Sequence, residues 1–426
     1  MLRDSDNTMM AIPSATAVSD GVAVQSVART PVSRASAVEE TGTNWGSTAD
    51  DRELHSETRR LSAAEWSHLE RGLKQRFEAV SACLQELVGG KSVPGFLRES
   101  PELAIALQKI LAPIAGNSRT DILWGWFGTT DLSVDPDGET LVLDHDFSLP
   151  TGLERLAGGS DSGELADLIS TQLFGRASAL DRRRGETVVL DPGFYSASFQ
   201  GNEFLARCLN AHIARQSDLT VRPDGVFLKV GGALRQVRTV VRRVDDDLLD
   251  PNCFRPDSLV GLPGLVRAWK AGLVNVVNPP CTGVVRLRSF GRLIPRMIRE
   301  YLNQDPVLNS AEVLECTDTE TLRMIVARPE KFAVRTNDPL HPARPFFGRT
   351  GTIAEFSDLL TRIRKNPFGW VARPLLPESS TRVHLRTFAS LGGSFRLLRA
   401  GLIRDAQPDG GASLSISSDT AVRICR

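Results

Sequence analysis

The chain has 426 residues, of which 41% are hydrophobic and 24% charged, and Lys+Arg and Asp+Glu both stand at 51. That is globular composition, long enough for two or three domains, and zero net charge supplies no global field toward nucleic acid or an anionic membrane. No apolar run approaches the ~20 residues of a membrane helix. Six scattered cysteines without a C-x-x-C pair read as free thiols, so a soluble, cytoplasmic protein is expected.

Residues 1–60 are rich in Ser, Thr, Ala and Asp, with little apolar periodicity and no secretory core, and read as a disordered tail. Order is expected from Ser62, which has capping-box spacing with Glu65. Trp66, Leu69, Leu73, Val80, Leu84 and Leu87 then form a helical stripe that Gly89 stops. A shorter helix over "PELAIALQKILAPIA" completes a helical segment at 61–120. Two strands flank the Pro-Asp-Gly of "LSVDPDGETLVLDHD", and "ETVVLDPGFYSASFQGNEFLARCLNAHIARQ" reads strand, loop, helix. Three strands follow in "DLTVRPDGVFLKVGGALRQVRTVVRRV". Next come a helix at "GLPGLVRAWKAG", a strand "VNVVN" and a helix at "GRLIPRMIREYLNQ". From about Lys331, the strands "KFAVRT", "GWVARPLL", "RVHLRTFAS" and "FRLLRAGLIRDA" accompany the helical "IAEFSDLLTRIRK". The pattern predicts an α/β core over 121–330 and an antiparallel-rich α+β lobe over 331–426.

The densest charge lies in "VVRRVDDDLLDPNCFRPDSLVGLPGL", residues 240–265. Strand alternation would place Val241, Arg243, Asp245 and Asp247 on one face and Val240, Arg242, Val244 and Asp246 on the other. Carboxylates two residues apart, roughly 7 Å along a strand, repel by about 2 kcal/mol at an effective dielectric of about 20. The plain reading is a wet strand end neutralised by its arginines. The functional one is a pocket at the carboxyl end of an α/β strand, where the aspartates hold an ammonium or a metal.

This block, with "VNVVNPPCTGV" and "PRMIREYLNQDPVL", resembles the core of the circularly permuted type 2 ATP-grasp family. The resemblance extends back through "VVLDPGFYSASFQGNEFLA", "DPDGETLVLDHDFSLPTGLERL" and "WSHLERGLKQR". Forward it takes in "NPFGWVARPLL", "VHLRTFA" and "RAGLIRDA", so that it spans roughly residues 60–418. It implies an α/β pre-ATP-grasp-like core, a C-terminal ATP-grasp lobe, and ATP with Mg2+ as cofactors. A carboxylate would be activated as an acyl phosphate and attacked by an amine. The resemblance puts Arg243, Asp245, Asp246, Asp247 and Asn278 on the substrate, Arg243 for a carboxylate and Asp245 and Asp246 for an amine. Arg335, in the place of the family's nucleotide-facing lysine, and Arg373, where Gln is usual, fall on the nucleotide. Arg386 matches the phosphate-side arginine, and it and Arg404 are the catalytic candidates.

Departures cluster in the same lobe. "DPLHPARPFFGRTGT" replaces the glycine-rich cover, His384 stands where Asp is usual, and Ile403 takes the place of Thr. Ile416 occupies the magnesium-ligating Asn, and upstream Gln200-Gly201-Asn202 replaces Phe-Glu-His, so no metal ligands are assigned. One preorganised donor is worth about 3 kcal/mol of barrier, and several are altered together. The expectation is an ATP-dependent carboxylate–amine ligase lineage with impaired or altered ATP use, acting on a small molecule or peptide. The alternative is an inactive homologue that binds a peptide or a partner ligase chain.

Other signals read plainly. "GGKS" at 89–92 is a helix stop. His145 is expected at the surface or anchoring a loop, and His212 packing a helix. The five arginines from Arg286 to Arg299 are expected on one solvated helical face, and zero net charge argues against nucleic acid.

Overall fold

The computed structural model describes residues 61–90, 94–134, 139–157, 166–174, 185–337, 343–375, 383–404 and 419–423, apart from positions 168, 194, 195, 197, 344 and 393. The expected tail at 1–60, the Pro-Asp-Gly turn at 135–138 and Ile416 lie outside the described residues. All described residues belong to the unit Thr43–Arg426.

Ser62 caps α1 (Ala63–Gly89) reciprocally: its N–H donates to Glu65 at 2.7 Å, and the Glu65 N–H donates to Ser62 Oγ at 3.2 Å. Gly90, in the left-handed region, closes the helix, the plain stop expected at "GGKS". The predicted stripe is buried except for the partly buried Leu87. α2 (Pro101–Leu111) follows, with Pro101 at its first position.

β1 (Gly128–Val134) and β2 (Thr140–Asp146) then pair antiparallel. β3 (Glu186–Leu190) and α3 (Phe199–Leu209) lead into β4 (His212–Ala214). β5 (Leu219–Arg222), β6 (Gly225–Val230) and β7 (Ala233–Arg242) form an antiparallel meander, as read from the sequence. The second half of β7 lies between two parallel neighbours, β3 and β8 (Asn275–Val277), and α4 (Leu265–Lys270) precedes β8. Its Val237, Val240 and Val241 are all buried, the continuous apolar run a covered parallel strand requires.

α5 (Arg288–Arg292) and α6 (Ile294–Leu302) share one apolar core with α1, and Tyr301 Oη on α6 donates to Glu86 of α1 at 2.6 Å. β9 (Asn309–Ser310), β10 (Leu314–Glu315) and α7 (Thr319–Ala327) come next. They are followed by β11 (Phe332–Thr336), β12 (Phe346–Phe347), α8 (Ile353–Lys365) and β13 (Trp370–Pro374). β14 (Val383–Leu391), β15 (Phe395–Arg404) and β16 (Asp419–Arg423) end the described chain.

The strands make three sheets. One is β16-β15-β14-β1-β2-β9, one is β10-β13-β11-β12, and the α/β core is β4-β3-β7-β6-β5 with β8 on β7. The first sheet joins strands from both ends of the chain, and the second takes β10 from before residue 330. The pairing therefore crosses the segment boundary expected there. Among the described residues, no helix is long and apolar enough to cross a membrane.

Three expectations are corrected. His145 is not at the surface: it is buried on β2, 2.9 Å from Thr130 Oγ1 and 3.3 Å from Arg76 Nη1. His212 does not pack a helix, because Asn210 ends α3 in the left-handed region and His212 starts β4, 3.2 Å from Glu186. The arginine run is not one solvated face. Arg286 ends a tight turn at Thr282–Arg286 and Arg288 starts α5, where they meet Asp245 and Asp144, while Arg296 and Arg299 on α6 remain outside with Glu99 and Asp305.

Candidate active site in an arginine-rich cluster

Strand register sets up the first charged group. β1 and β2 place Asp131 opposite Asp144, and β1 and β14 place Asp131 opposite Arg386. Cross-strand partners share a face, and two adjacent carboxylates are destabilising unless cations meet them. Arg386 holds Asp131 with a two-pronged ion pair, Nε to Oδ1 at 2.7 Å and Nη2 to Oδ2 at 2.8 Å. Arg373, on β13 of the small sheet, reaches Asp144 Oδ1 at 3.5 Å and donates to the Leu143 carbonyl at 2.9 Å. Arg288 reaches the same carboxylate oxygen at 3.3 Å and donates to the Thr336 carbonyl at 2.6 Å. Arg335, on β11 beside β13, is 7% exposed, its guanidinium 5.9 Å from the Phe347 ring centre.

Among the described residues, Arg386, Arg288, Arg373 and Arg335 gather around the carboxylates of Asp131 and Asp144. Burial acts to raise the Asp144 carboxyl, but Arg288, Arg373 and Arg335 outweigh it and hold it below the usual range. Burial first, then Arg288 and Arg373, pull the Arg335 guanidinium down to about 9. The lowered Asp144 carboxyl reflects the arginines gathered around it, and the lowered Arg335 guanidinium chiefly its burial. Phosphate oxygens match guanidinium forks in charge and geometry.

The aspartate-rich strand end is built differently. β7 stops at Arg242, and Asp246–Leu248 make a single tight turn, so the strand does not run on through the aspartates. Arg242 and Asp246, expected on one face, do meet: Nη2 lies 2.9 Å from Oδ1, with both side chains buried. The same guanidinium donates to the carbonyls of Asn278 and Val244 and to Thr282 Oγ1. Asp246 also accepts the N–H groups of Cys281 and Gly283, each at 2.7 Å. Asn278 is likewise committed, its amide exchanging two hydrogen bonds with the backbone of Phe127. Asp246 and Asn278, expected on a substrate, therefore clamp loops together.

Asp245 is half-exposed and pairs with Arg286 at 2.9 Å, not with Arg243, and Asp247 lies 3.8 Å from Arg255. Arg243 is 8% exposed and lines a small cavity with Pro150, Glu154 and Gly201.

The family model described as circularly permuted ATP-grasp type 2 matches residues 164–406, more than half of the chain. The chain belongs to the circularly permuted type 2 ATP-grasp family. An uncharacterized protein of Synechocystis sp. is 27% identical over 332 residues, 74% of this chain and 69% of that protein. An uncharacterized protein of Mycobacterium tuberculosis is 27% identical over 384 residues, 82% of this chain and 69% of its own. A second from that organism is 28% identical over 357 residues, covering 79% of this chain but 40% of that protein.

The fold of this ATP-grasp protein is ATP-dependent ligase-like, and the family generally uses ATP and Mg2+. The clustered arginines fit the phosphate part of that pair: Arg335 and Arg373, expected on the nucleotide, share a face with Arg386 close by across the Asp131–Asp144 row. Magnesium is served less well. Among the described residues no group of three or more His, Cys, Asp or Glu side chains could hold a metal, and Asp131 and Asp144 already answer arginines. Gly348, a remnant of the cover loop, is held by packing: a Cβ there would come 1.6 Å from the Pro329 carbonyl oxygen. Residues 338–342 and 344 of that loop lie outside the described residues. Arg404 pairs along its backbone with His384, but its side chain lies outside the described residues.

Sequence reading missed Asp131, Asp144 and Arg288. Asp131 and Asp144 stood unremarked in a strand hairpin, and Arg288 was one of five similar arginines. Their adjacency arises only from strand register and lobe packing.

Proposed function

We propose that this protein is an ATP-dependent carboxylate–amine ligase of the ATP-grasp type, with altered ATP use, whose phosphate-binding charge comes from arginines instead of a lysine and a glycine-rich cover. The observation that carries this reading is the row Arg386–Asp131–Asp144 faced by Arg288, Arg335 and Arg373. ATP, when bound, would supply the phosphoryl group that activates a carboxylate as an acyl phosphate for an amine. Arg335 and Arg373 would bind phosphate oxygens, and Arg386, held by Asp131, would be aimed at the transferring group. Asp144, which now balances Arg288 and Arg373, would share them with the incoming anion.

Thermal unfolding with ATP, with and without Mg2+, tests this directly. A hundredfold excess over Kd should stabilise the protein by about 2.7 kcal/mol, with Arg335→Ala and Arg373→Ala each weakening the effect. Phosphate release stimulated by an amine is the second readout. No stabilisation and no release with any amine would remove the ligase reading. The pairing of Asp131 and Asp144 with arginines favours one alternative, an inactive homologue that binds a peptide or a partner ligase chain. Nucleotide binding without phosphate release would favour it.

A further inference from the structure

The small sheet turns a different face away from the arginines. β13 sets Pro374 opposite Phe332 of β11, and Ala372 opposite both Val334 of β11 and Leu314 of β10. Arg373 and Val371, one residue out of step, stand opposite Ala333 and Arg335. Strand alternation therefore puts Leu314, Phe332 and Pro374 on the reverse of the arginine face. That reverse side is the helix side: Phe332 and Val334 share a core with Ile325 of α7 and with Leu359 and Ile363 of α8.

At the end of the sheet this core leaves a hollow of about 420 Å³, a size typical of small-molecule sites. Leu314, Phe332, Pro374, Leu375 and Met324 of α7 give it apolar walls. Phe332 is 7% exposed and Met324 38%, so the hollow has a buried floor and an open lip. The Leu375 N–H donates to the Lys331 carbonyl at 2.7 Å, which carries the strand pairing past Pro374 and fixes both residues in the wall.

Lys331, Arg349 and Glu312 complete the described lining. Arg349 is placed by its neighbour. The Gly348 N–H donates to the Phe332 carbonyl at 3.0 Å, and a Cβ at Gly348 would strike the Pro329 carbonyl oxygen, so the turn lies close against the start of β11.

We propose that this hollow binds a small apolar carboxylic acid, aromatic or branched, with its body between Met324 and Phe332 and its carboxylate at Lys331 and Arg349. Water against an open apolar wall is unfavourable, and a methionine side chain adapts to the shape of what covers it. An ammonium and a guanidinium at the rim complement one carboxylate, and the apolar walls exclude a ligand that is polar throughout. The site lies on the reverse of the strands that carry Arg335 and Arg373, and its binding does not rest on the ligase reading.

The test is calorimetric titration of the full chain, without nucleotide, using phenylacetate and isocaproate against phenylacetamide and acetate. The two apolar acids should bind, acetate at least about tenfold more weakly and phenylacetamide about fivefold more weakly. Lys331→Ala, which keeps the backbone bond to Leu375, should weaken phenylacetate about threefold and leave phenylacetamide unchanged. Met324→Glu, on the open lip, should weaken phenylacetate about tenfold, with an unfolding midpoint showing that the protein still folds. Inorganic tripolyphosphate, an anion suited to the arginine cluster and without an apolar body, should not displace phenylacetate. Absence of binding by the folded protein at millimolar phenylacetate and isocaproate overturns the proposal. So do equal affinities for phenylacetate and its amide, displacement by tripolyphosphate, and binding that survives Met324→Glu unchanged. ATP binding without acid binding would sink this site and leave the ligase reading standing; acid binding without ATP binding would do the opposite.

Discussion

Removing Asp246 strips the buried Arg242 guanidinium of its carboxylate and leaves the N–H groups of Cys281 and Gly283 without their acceptor. Breaking one partner of such a buried pair costs about 3–5 kcal/mol. Asp245 is 38% exposed at its side chain, and its bond to Arg286 is worth about 0–1 kcal/mol. Chemical denaturation should therefore rank Asp246→Ala far below Asp245→Asn in stability. Equal costs would show that the Asp246 clamp does not hold the strand end. The run of three aspartates was legible as important, but not for one reason. Asp246 serves the fold, Asp245 and Asp247 sit at the rim, and Arg243 turns to a cavity that none of them lines.

At the scale of elements, α1 is tied to the large sheet by one polar network. Arg76 donates to the Leu308 carbonyl at 2.9 Å and to Ser310 Oγ at 2.7 Å, beside His145 on β2. Burial first, and then Arg76, push the His145 imidazole down to about 3. The unfolded chain therefore takes up this proton near pH 6.5, whereas the folded chain resists it until about 3. Stability is full above the unfolded value and falls as pH drops through that window, by up to about 1.4 kcal/mol per unit. The depressed Asp144 carboxyl adds its loss lower still, as pH falls through its folded value. His145→Gln should flatten the melting temperature between pH 6 and pH 4, measured by scanning fluorimetry; an unchanged slope would place the acid sensitivity elsewhere. The helix itself was legible from its cap and stripe. Its anchor was not, because a histidine flanked by aspartates gives no sign of burial until the strand is placed.

At the scale of the whole molecule, β14 lies between β15 and β1, so the large sheet cannot close without both ends of the chain. A fragment ending at residue 330 keeps β1 and β2 but loses β14, and with it the ion pair between Asp131 and Arg386. It should be expressed as an aggregating or unfolded chain, whereas the chain through residue 426 should show one cooperative transition when its unfolding is followed by circular dichroism. A soluble, cooperatively folding fragment would mean that the core stands alone.

The amino-acid sequence by itself determined the elements and the family. Caps, apolar periodicity and the Pro-Asp-Gly turn between β5 and β6 are local, and the block at 240–265 keeps its order in the chain. Tertiary structure alone decided which charges meet. Asp131, Asp144, Arg288 and Arg373 come from four separate elements, and Glu154 faces Arg243 from nearly ninety residues away. The physical reason is range: hydrogen bonding and periodicity act within a few residues, while electrostatic partnership depends on the packing of sheets and loops that no local pattern records.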